Sequence, residues 1–274
     1  MPIKDPELKE RLARQEWTAH NIRLTNKIST RPGEPDFLAT DMRLRAISRT
    51  LDFCYDKQLE GLRVADLGCL EGGFSLALAQ RGAEVLGIEV RERNVEKCLL
   101  LKEHFGLGNL NFVMDDVKNF TVGKYGKFDV ILALGILYHL DRPVQWLRQI
   151  SNATSCLLFI ETHYAPPDDH SMQLMAGELA KNLGPLITDE IDGCKYQGRW
   201  YQEFANDESW SMGRETCLWA SYSNLKSLWL TKESLLMAVL NSGFSLFLEQ
   251  HDSSRELFSE VTNKRSRALF VAVR

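Results

Sequence analysis

The 274 residues are 44% hydrophobic and 26% charged, an ordinary globular composition that excludes a disordered, collagenous or fibrous chain. This length suits one large domain, or one domain with a sizeable insertion, and hides roughly three quarters of its unfolded surface on folding. With 33 basic against 37 acidic residues the net charge is −4, which argues against a dedicated nucleic-acid binder, whose affinity comes from neutralising phosphates.

Residues 1–17 are charged throughout, so they read as neither signal peptide nor anchor, and a cytoplasmic protein is expected. No stretch approaches the roughly 20 apolar residues that cross a bilayer. Cysteines fall at 54, 69, 98, 156, 194 and 217 without a CxxC pair, and read as mostly buried free thiols. In 41–51, Met42, Leu44, Ile47 and Leu51 form the apolar stripe of a helix whose Arg43, Arg45 and Arg49 face water.

From residue 62, short apolar runs alternate with helical patterns. Strands are expected at 62–67, 84–89, 110–114, 128–134 and 157–161, with helices at 72–81, 91–105 and 141–151. In the second of these helices, Val95, Cys98, Leu99 and Leu101 are the expected inner positions. Strand–helix alternation with short loops means βαβ units and a parallel sheet. The pattern breaks over 162–230, a stretch rich in Trp, Tyr, Asn, Asp, Ser and Gly without a steady period, which reads as an inserted cap. Regularity returns as a helix at 231–240 and strands at 244–249 and 267–273. The expected organisation is an N-terminal helical lid segment (1–60), a core (61–161 with 231–274) and a substrate-binding cap (162–230).

The informative segment is 64–75, where a strand ends, glycines turn the chain and a helix begins. Free N–H groups at such a helix start can hold a negative or polar ligand group. A dinucleotide fingerprint needs glycines at 68, 70 and 73, and position 70 is leucine, which disfavours a pyrophosphate and an NAD oxidoreductase. Glu89 ends the next strand, where a carboxylate can take both ribose hydroxyls. Asp115 and Asp116 end the third, with Asp115 suited to a helix cap.

The spacing Asp66-x-Gly68-x-x-x-Gly72, followed by Glu89 and Asp116, resembles class I S-adenosylmethionine-dependent methyltransferases. The run Gly135–Leu140 (GILYHL), then Asp141 and Pro143, resembles the branch containing the tRNA wobble-uridine carboxymethyltransferases. The resemblance covers about residues 60–161, and 231–273 in element order. It implies an α/β, Rossmann-like sheet of seven mostly parallel strands with an antiparallel final strand, and helices on both faces. It also implies S-adenosyl-L-methionine as cofactor, held by Asp66, Gly68, Cys69, Gly72, Glu89, Val90, Asp116 and Val117, with Gly135 and Tyr138 bordering the sulfonium.

A methyl group on a sulfonium is already activated, so the protein need only align a nucleophile and exclude water. A hydroxyl nucleophile gains from a general base, and His139 and His163 follow the fourth and fifth strands, at the ligand end of the sheet. Glu161, His163, Asp168, Asp169 and His170 could be drawn as a metal cluster, but most share one loop, and no metal is expected. The resemblance implies that Trp17 and His20 sit in a lid helix, and aromatics such as Trp200, Tyr201, Trp219 and Trp229 either wall a small organic substrate or form the cap's own core. The reading is methyl transfer to a small acceptor, most simply at oxygen. Its alternatives are a tRNA-modifying enzyme with a carboxylated cofactor, for which Arg91 is the candidate cation, and a non-catalytic cofactor-binding protein.

Overall fold

The computed structural model describes residues 3–175, 178–253 and 266–274. Helices α1 (Asp5–Ala13) and α2 (Met42–Cys54) precede an alternating series: β1 (Arg63–Leu67), α3 (Gly73–Ala79), β2 (Glu84–Glu89), α4 (Glu92–Phe105) and β3 (Leu110–Met114). The short α5 (Val122–Tyr125), β4 (Phe128–Leu134), α6 (Pro143–Ala153) and β5 (Thr154–His163) follow. Then come α7 (Asp169–Leu174), α8 (Glu178–Lys181), β6 (Leu183–Ile191), β7 (Cys194–Gln202), α9 (Asp207–Gly213) and β8 (Lys226–Leu230). The chain closes with α10 (Lys232–Asn241), β9 (Leu246–Gln250) and β10 (Arg267–Val273).

Seven strands form one sheet in the order β3-β2-β1-β4-β5-β10-β9. β1 pairs in parallel with β2 and β4, and β2 with β3, while β10 runs antiparallel to β5 and β9. This is the expected Rossmann-like sheet with its antiparallel last strand. The strand order reverses at β1, so its carboxyl end is a switch point, where ligands bind in open α/β sheets. Among the described residues no helix is long and apolar enough to cross a membrane.

The chain divides into two compact units, one of residues up to Asn119 with Phe128–Leu132, the other of Phe120–Lys127, Ala133–His251 and the C-terminal strand. In the first, β1 is buried from Val64 to Leu67, as a central strand should be. Helix α4 buries Cys98 and Leu101 as expected but departs from expectation at Leu99. Its buried face carries Asn94, Lys97, Cys98, Leu100, Leu101 and His104, while Leu99 is 48% exposed. Periodicity assigned the inner face to apolar residues, but a lysine and an asparagine occupy it. Helix α2 buries Leu44, Ile47 and Leu51 as expected, whereas Arg43 pairs with Asp41 and lies over the Phe74 ring at 5.4 Å.

In the second unit, the stretch without a steady period holds a three-stranded antiparallel sheet, β6-β7-β8. Alternation is obscured there because Gly184 and Pro185 interrupt β6, and β7 buries Arg199. The Arg199 guanidinium donates to the carbonyls of Pro166 (3.0 Å) and Gly184 (3.1 Å) and pairs with Asp169. All six cysteines are free thiols, but Cys54 and Cys217 are exposed and Cys156 and Cys194 half-buried, so only Cys69 and Cys98 are buried as expected.

At Gly198 in β7 a Cβ would stand 2.6 Å from the Trp229 carbonyl oxygen. We expect Gly198→Ala to destabilise the protein by about 1–3 kcal/mol, the usual range for overpacking. Calorimetry should read this as a lower thermal midpoint, and an unchanged midpoint would contradict the close packing of β7 on β8.

Candidate functional site

After β1 the backbone turns through three left-handed residues, Gly68 (φ +70°), Leu70 (φ +53°) and Gly72 (φ +74°). Leu70 adopts the conformation that a glycine would take, at a cost of about 1–2 kcal/mol. Its N–H donates to Glu89 Oε2 at 3.0 Å and its carbonyl accepts the Cys98 thiol at 3.3 Å, which hold it there. The turn does not present the row of free N–H groups expected from sequence. Those of Gly68 and Cys69 both donate to the Ile88 carbonyl (2.8 and 3.0 Å), that of Gly72 to Cys69 O (2.8 Å), and that of Gly73 to His20 Nδ1 (3.3 Å).

Carboxylates are what the turn offers instead. Asp66 is buried, accepts the Ser75 hydroxyl at 2.6 Å, and has its pKa pushed up to about 6 by burial. It therefore ties β1 to the first turn of α3. Glu89 is also buried, and burial raises its pKa against the opposing pull of the Arg91 N–H, the Arg91 charge and the Leu70 N–H. Each Glu89 oxygen accepts one backbone N–H, Arg91 on Oε1 (2.9 Å) and Leu70 on Oε2. A carboxylate has about four acceptor sites, and besides the two backbone N–H groups the Asn94 side chain bears on this one, so up to two sites remain for a ligand's hydroxyls.

Asp116 is half-buried; its Oδ1 accepts the Lys118 N–H at 2.9 Å, and its Oδ2 has no hydrogen bond among the described residues. Asp115 acts as the local cap, accepting the N–H of Asp116 and the amide of Asn119. Val90 is half-buried, and Val117 is buried in the short turn after Asp116. Cys69 is buried against Cys98, and burial raises its thiol pKa well above the ordinary value.

One residue escaped the sequence reading. Glu71, inside the turn, is completely buried and meets Lys97 Nζ at 3.0 Å. It also accepts the backbone N–H groups of Thr18 (2.7 Å), Ala19 (3.1 Å) and His20 (2.9 Å). Burial acts to raise its pKa, but the N–H groups of His20 and Thr18 and the Lys97 charge bring it below the ordinary value. Trp17 to His20 are consequently not helical, contrary to expectation: the N–H groups of Thr18, Ala19 and His20 point to a carboxylate rather than to carbonyls one turn back. The available signal was a charged residue within a glycine turn, together with a lysine on the apolar face of the next helix but one. His20 is buried, which pushes its pKa down to about 4, and in neutral form it caps Gly73. The Lys97 ammonium lies 5.7 Å from the centre of the Trp17 ring.

In the second unit, Gly135 (φ +74°) follows β4 and donates its N–H to the Glu161 carbonyl at 2.8 Å. A Cβ there would be 3.5 Å from Tyr138 Oη and 3.7 Å from both Arg267 Nη2 and Glu161 Oε2. Glu161 is held by the Arg267 guanidinium (Nη2 to Oε2, 2.7 Å), Asp168 caps Ser171, and Asp169 pairs with Arg199. Among the described residues no group of three metal-ligating side chains converges.

Both candidate histidines lie against Tyr138, with ring centres 4.2 Å away for His139 and 4.8 Å for His163. His163 stacks on Trp229 (4.8 Å, 9°), as Tyr201 does (4.6 Å, 11°), and the Trp229 indole donates to the Tyr138 carbonyl at 2.8 Å. His139 Nδ1 is 2.8 Å from Oε1 of Glu203, a second residue missed from sequence. Trp200 and Trp219 are 38% and 63% exposed, so those two wall no enclosed cavity. Arg91 is buried and faces Glu89, whose charge it favours.

A family model described as a methyltransferase domain matches residues 58–207, more than half of the chain. A ubiquinone biosynthesis O-methyltransferase from Leptothrix cholodnii is 26% identical over 151 residues, 54% of this chain and 62% of that protein. A tRNA U34 carboxymethyltransferase from Campylobacter hominis is 31% identical over 115 residues, 40% of this chain and 39% of that protein. The chain thus spans about three fifths or less of the length of these curated relatives. Among solved structures, the N-terminal domain of EvdMO1 in the presence of SAH and D-fucose superposes with a TM-score of 0.68, covering 99% of this chain and 97% of that one at 23% identity. At that identity the likeness is one of fold.

The buried groups around the turn give opposite pH dependences. His20, at about 4 in the fold against about 6.5 when unfolded, stabilises fully above pH 6.5 and less as the pH falls toward 4. The difference is worth about 3 kcal/mol. Urea unfolding of His20→Gln should therefore lose less stability than the wild type between pH 7 and pH 4; equal losses would contradict a buried neutral His20. Asp66, raised to about 6, contributes below pH 4 and loses that contribution as the pH rises through 6. Asp66→Asn should accordingly gain on the wild type at pH 8 relative to pH 4, and no such gain would mean that Asp66 is not desolvated.

Proposed function

The chain belongs to the methyltransferase-domain family, and on that premise we propose that it transfers a methyl group from S-adenosylmethionine to an oxygen of a small organic acceptor by in-line displacement. The observation that carries the reading is Glu89, a buried carboxylate at the end of β2 with acceptor capacity beyond its two backbone N–H bonds. That donor and acceptor pattern fits the ribose diol of a nucleoside cofactor, and Asp116 Oδ2 fits the amino group of an adenine. The N–H groups of Gly68, Cys69, Leu70, Gly72 and Gly73 are satisfied within the protein, which suits a cofactor without phosphates. When bound, the cofactor supplies a methyl group activated on a positive sulfur. Asp66, Gly68, Cys69 and Gly72 shape the turn beside it, and Val90 and Val117 flank the nucleoside. Gly135 and Tyr138 border the reacting end.

His139 and His163 are the candidate bases for a hydroxyl acceptor. We assign acceptor choice to residues 162–230 as a cap, the first 60 residues to a lid, and the rest to the core, in a cytoplasmic enzyme. Oxygen as the target is supported by the ubiquinone biosynthesis O-methyltransferase among the relatives. The net charge of −4 favours a small acceptor. A second reading, tRNA modification, is favoured by the match to the tRNA U34 carboxymethyltransferase.

Titration calorimetry with S-adenosylhomocysteine tests the cofactor assignment. Glu89→Gln should bind about 10- to 100-fold more weakly, the usual worth of a hydrogen bond to a charged group, and should also melt lower, because its NH2 faces one of the two backbone N–H donors; binding is therefore read well below the variant's own midpoint. Equal affinity would overturn the assignment. A panel of hydroxylated small molecules, assayed for adenosylhomocysteine release alongside bulk tRNA, tests the acceptor. Turnover of tRNA alone would replace the first reading with the second.

A further inference from the structure

Of the two histidines against Tyr138, His139 has its Nδ1 2.8 Å from the Glu203 carboxylate. We propose that Glu203 positions His139 as the general base, fixing its proton on Nδ1 and leaving Nε2 as the acceptor; the role in catalysis rests on the oxygen-methylation reading above.

Glu203 directly follows β7, and its side chain is 2% exposed. Three donors surround it. Oε1 is 2.8 Å from His139 Nδ1 and accepts the Ser227 hydroxyl, and Oε2 accepts the Ser221 N–H at 3.1 Å. An ionised carboxylate only accepts hydrogen bonds, so the proton between it and His139 belongs to Nδ1, and the Nε2 lone pair is free to take one.

The backbone fixes both partners. The N–H groups of Glu203 and Phe204 both donate to the Leu225 carbonyl, at 2.9 and 3.3 Å. Beside His139, the Leu140 carbonyl accepts the Leu228 N–H at 2.8 Å and the Tyr138 carbonyl accepts the Trp229 indole at 2.8 Å. Strand β8 therefore braces the histidine turn and, through Ser227, the carboxylate as well.

In the reaction, the acceptor oxygen bonds to the methyl carbon as the carbon–sulfur bond breaks, and its proton passes to Nε2. The positive charge lost from sulfur reappears on the imidazolium, next to Glu203. The carboxylate thus sets the tautomer beforehand and stabilises the charge that follows.

Glu203→Gln discriminates this from a structural role. The Ser221 N–H can only donate, so the new amide oxygen stays in the place of Oε2 and the NH2 turns to His139 Nδ1. Nδ1 must then accept, and the proton moves to Nε2. Long-range 1H–15N spectra of the full chain labelled on histidine nitrogens, with His139→Gln to assign the signal, should show the proton on Nδ1 in the wild type and on Nε2 in Glu203→Gln. Ser227→Ala, which keeps the carboxylate, should retain it on Nδ1. With an acceptor from the panel, kcat of Glu203→Gln should fall about 100-fold, within the usual range for general base catalysis, while KM for S-adenosylmethionine stays unchanged.

A wild-type proton on Nε2, one tautomer in both proteins, or full turnover by a variant with the switched tautomer would each overturn the proposal. The wild-type spectrum suffices for the first of these even if the variant does not fold. An enzyme that turns over no acceptor would count against oxygen methylation, while the spectra still decide what Glu203 does to His139.

Discussion

The Glu71 carboxylate has no exposed surface, and three backbone N–H groups and a lysine ammonium converge on it. A charge in that position is tolerable only when fully hydrogen-bonded. Removing one partner from such a buried pair costs about 3–5 kcal/mol, because the other charge is left stranded. Much of the first unit follows from this constraint. It holds Thr18 to His20 out of a helix and sets His20 over the first N–H of α3. It also commits the inner face of α4 to Lys97 and Asn94. The N-terminal segment is thereby part of the glycine turn rather than an appendage to it.

The same turn shows why leucine is acceptable at position 70. A left-handed leucine is strained, but its N–H and carbonyl are both bound, one by Glu89 and one by Cys98. The hydrogen bond to Glu89 also orients the carboxylate. A glycine would allow the same path without strain, and a phosphate-binding turn would need its N–H groups free. Here they are engaged, and the recognition surface is anionic. The turn suits hydroxyls, amines and positive charge better than a pyrophosphate.

Legibility in the sequence tracked how far each element was governed by apolar burial. Strands β1, β2 and β4 were evident as apolar runs, and the order Asp66, Glu89, Asp116 placed three carboxylates on successive strand ends before any coordinates. Elements whose buried face is polar were misread. In helix α4 periodicity places Cys98 and Leu101 correctly but misses Lys97 and Asn94 and turns Leu99 inward, and β7 escapes it because Arg199 lies in its interior. Glu71 carries only the weak signal of a charge within a glycine turn and Glu203 carries none, since their partners lie far along the chain: residues 18–20 and 97 for one, 139, 221 and 227 for the other. Buried carboxylates are defined by what converges on them, and convergence is a property of the fold.

Glu89 as the anchor of a nucleoside cofactor is the pivot of the proposed site. A crystal structure of the chain with S-adenosylhomocysteine bound tests this most directly. It should show both ribose hydroxyls on the Glu89 carboxylate and the adenine amino group on Asp116. A nucleoside seated away from Glu89, or ribose hydroxyls held by other groups while Glu89 keeps only its two backbone N–H donors, would contradict it.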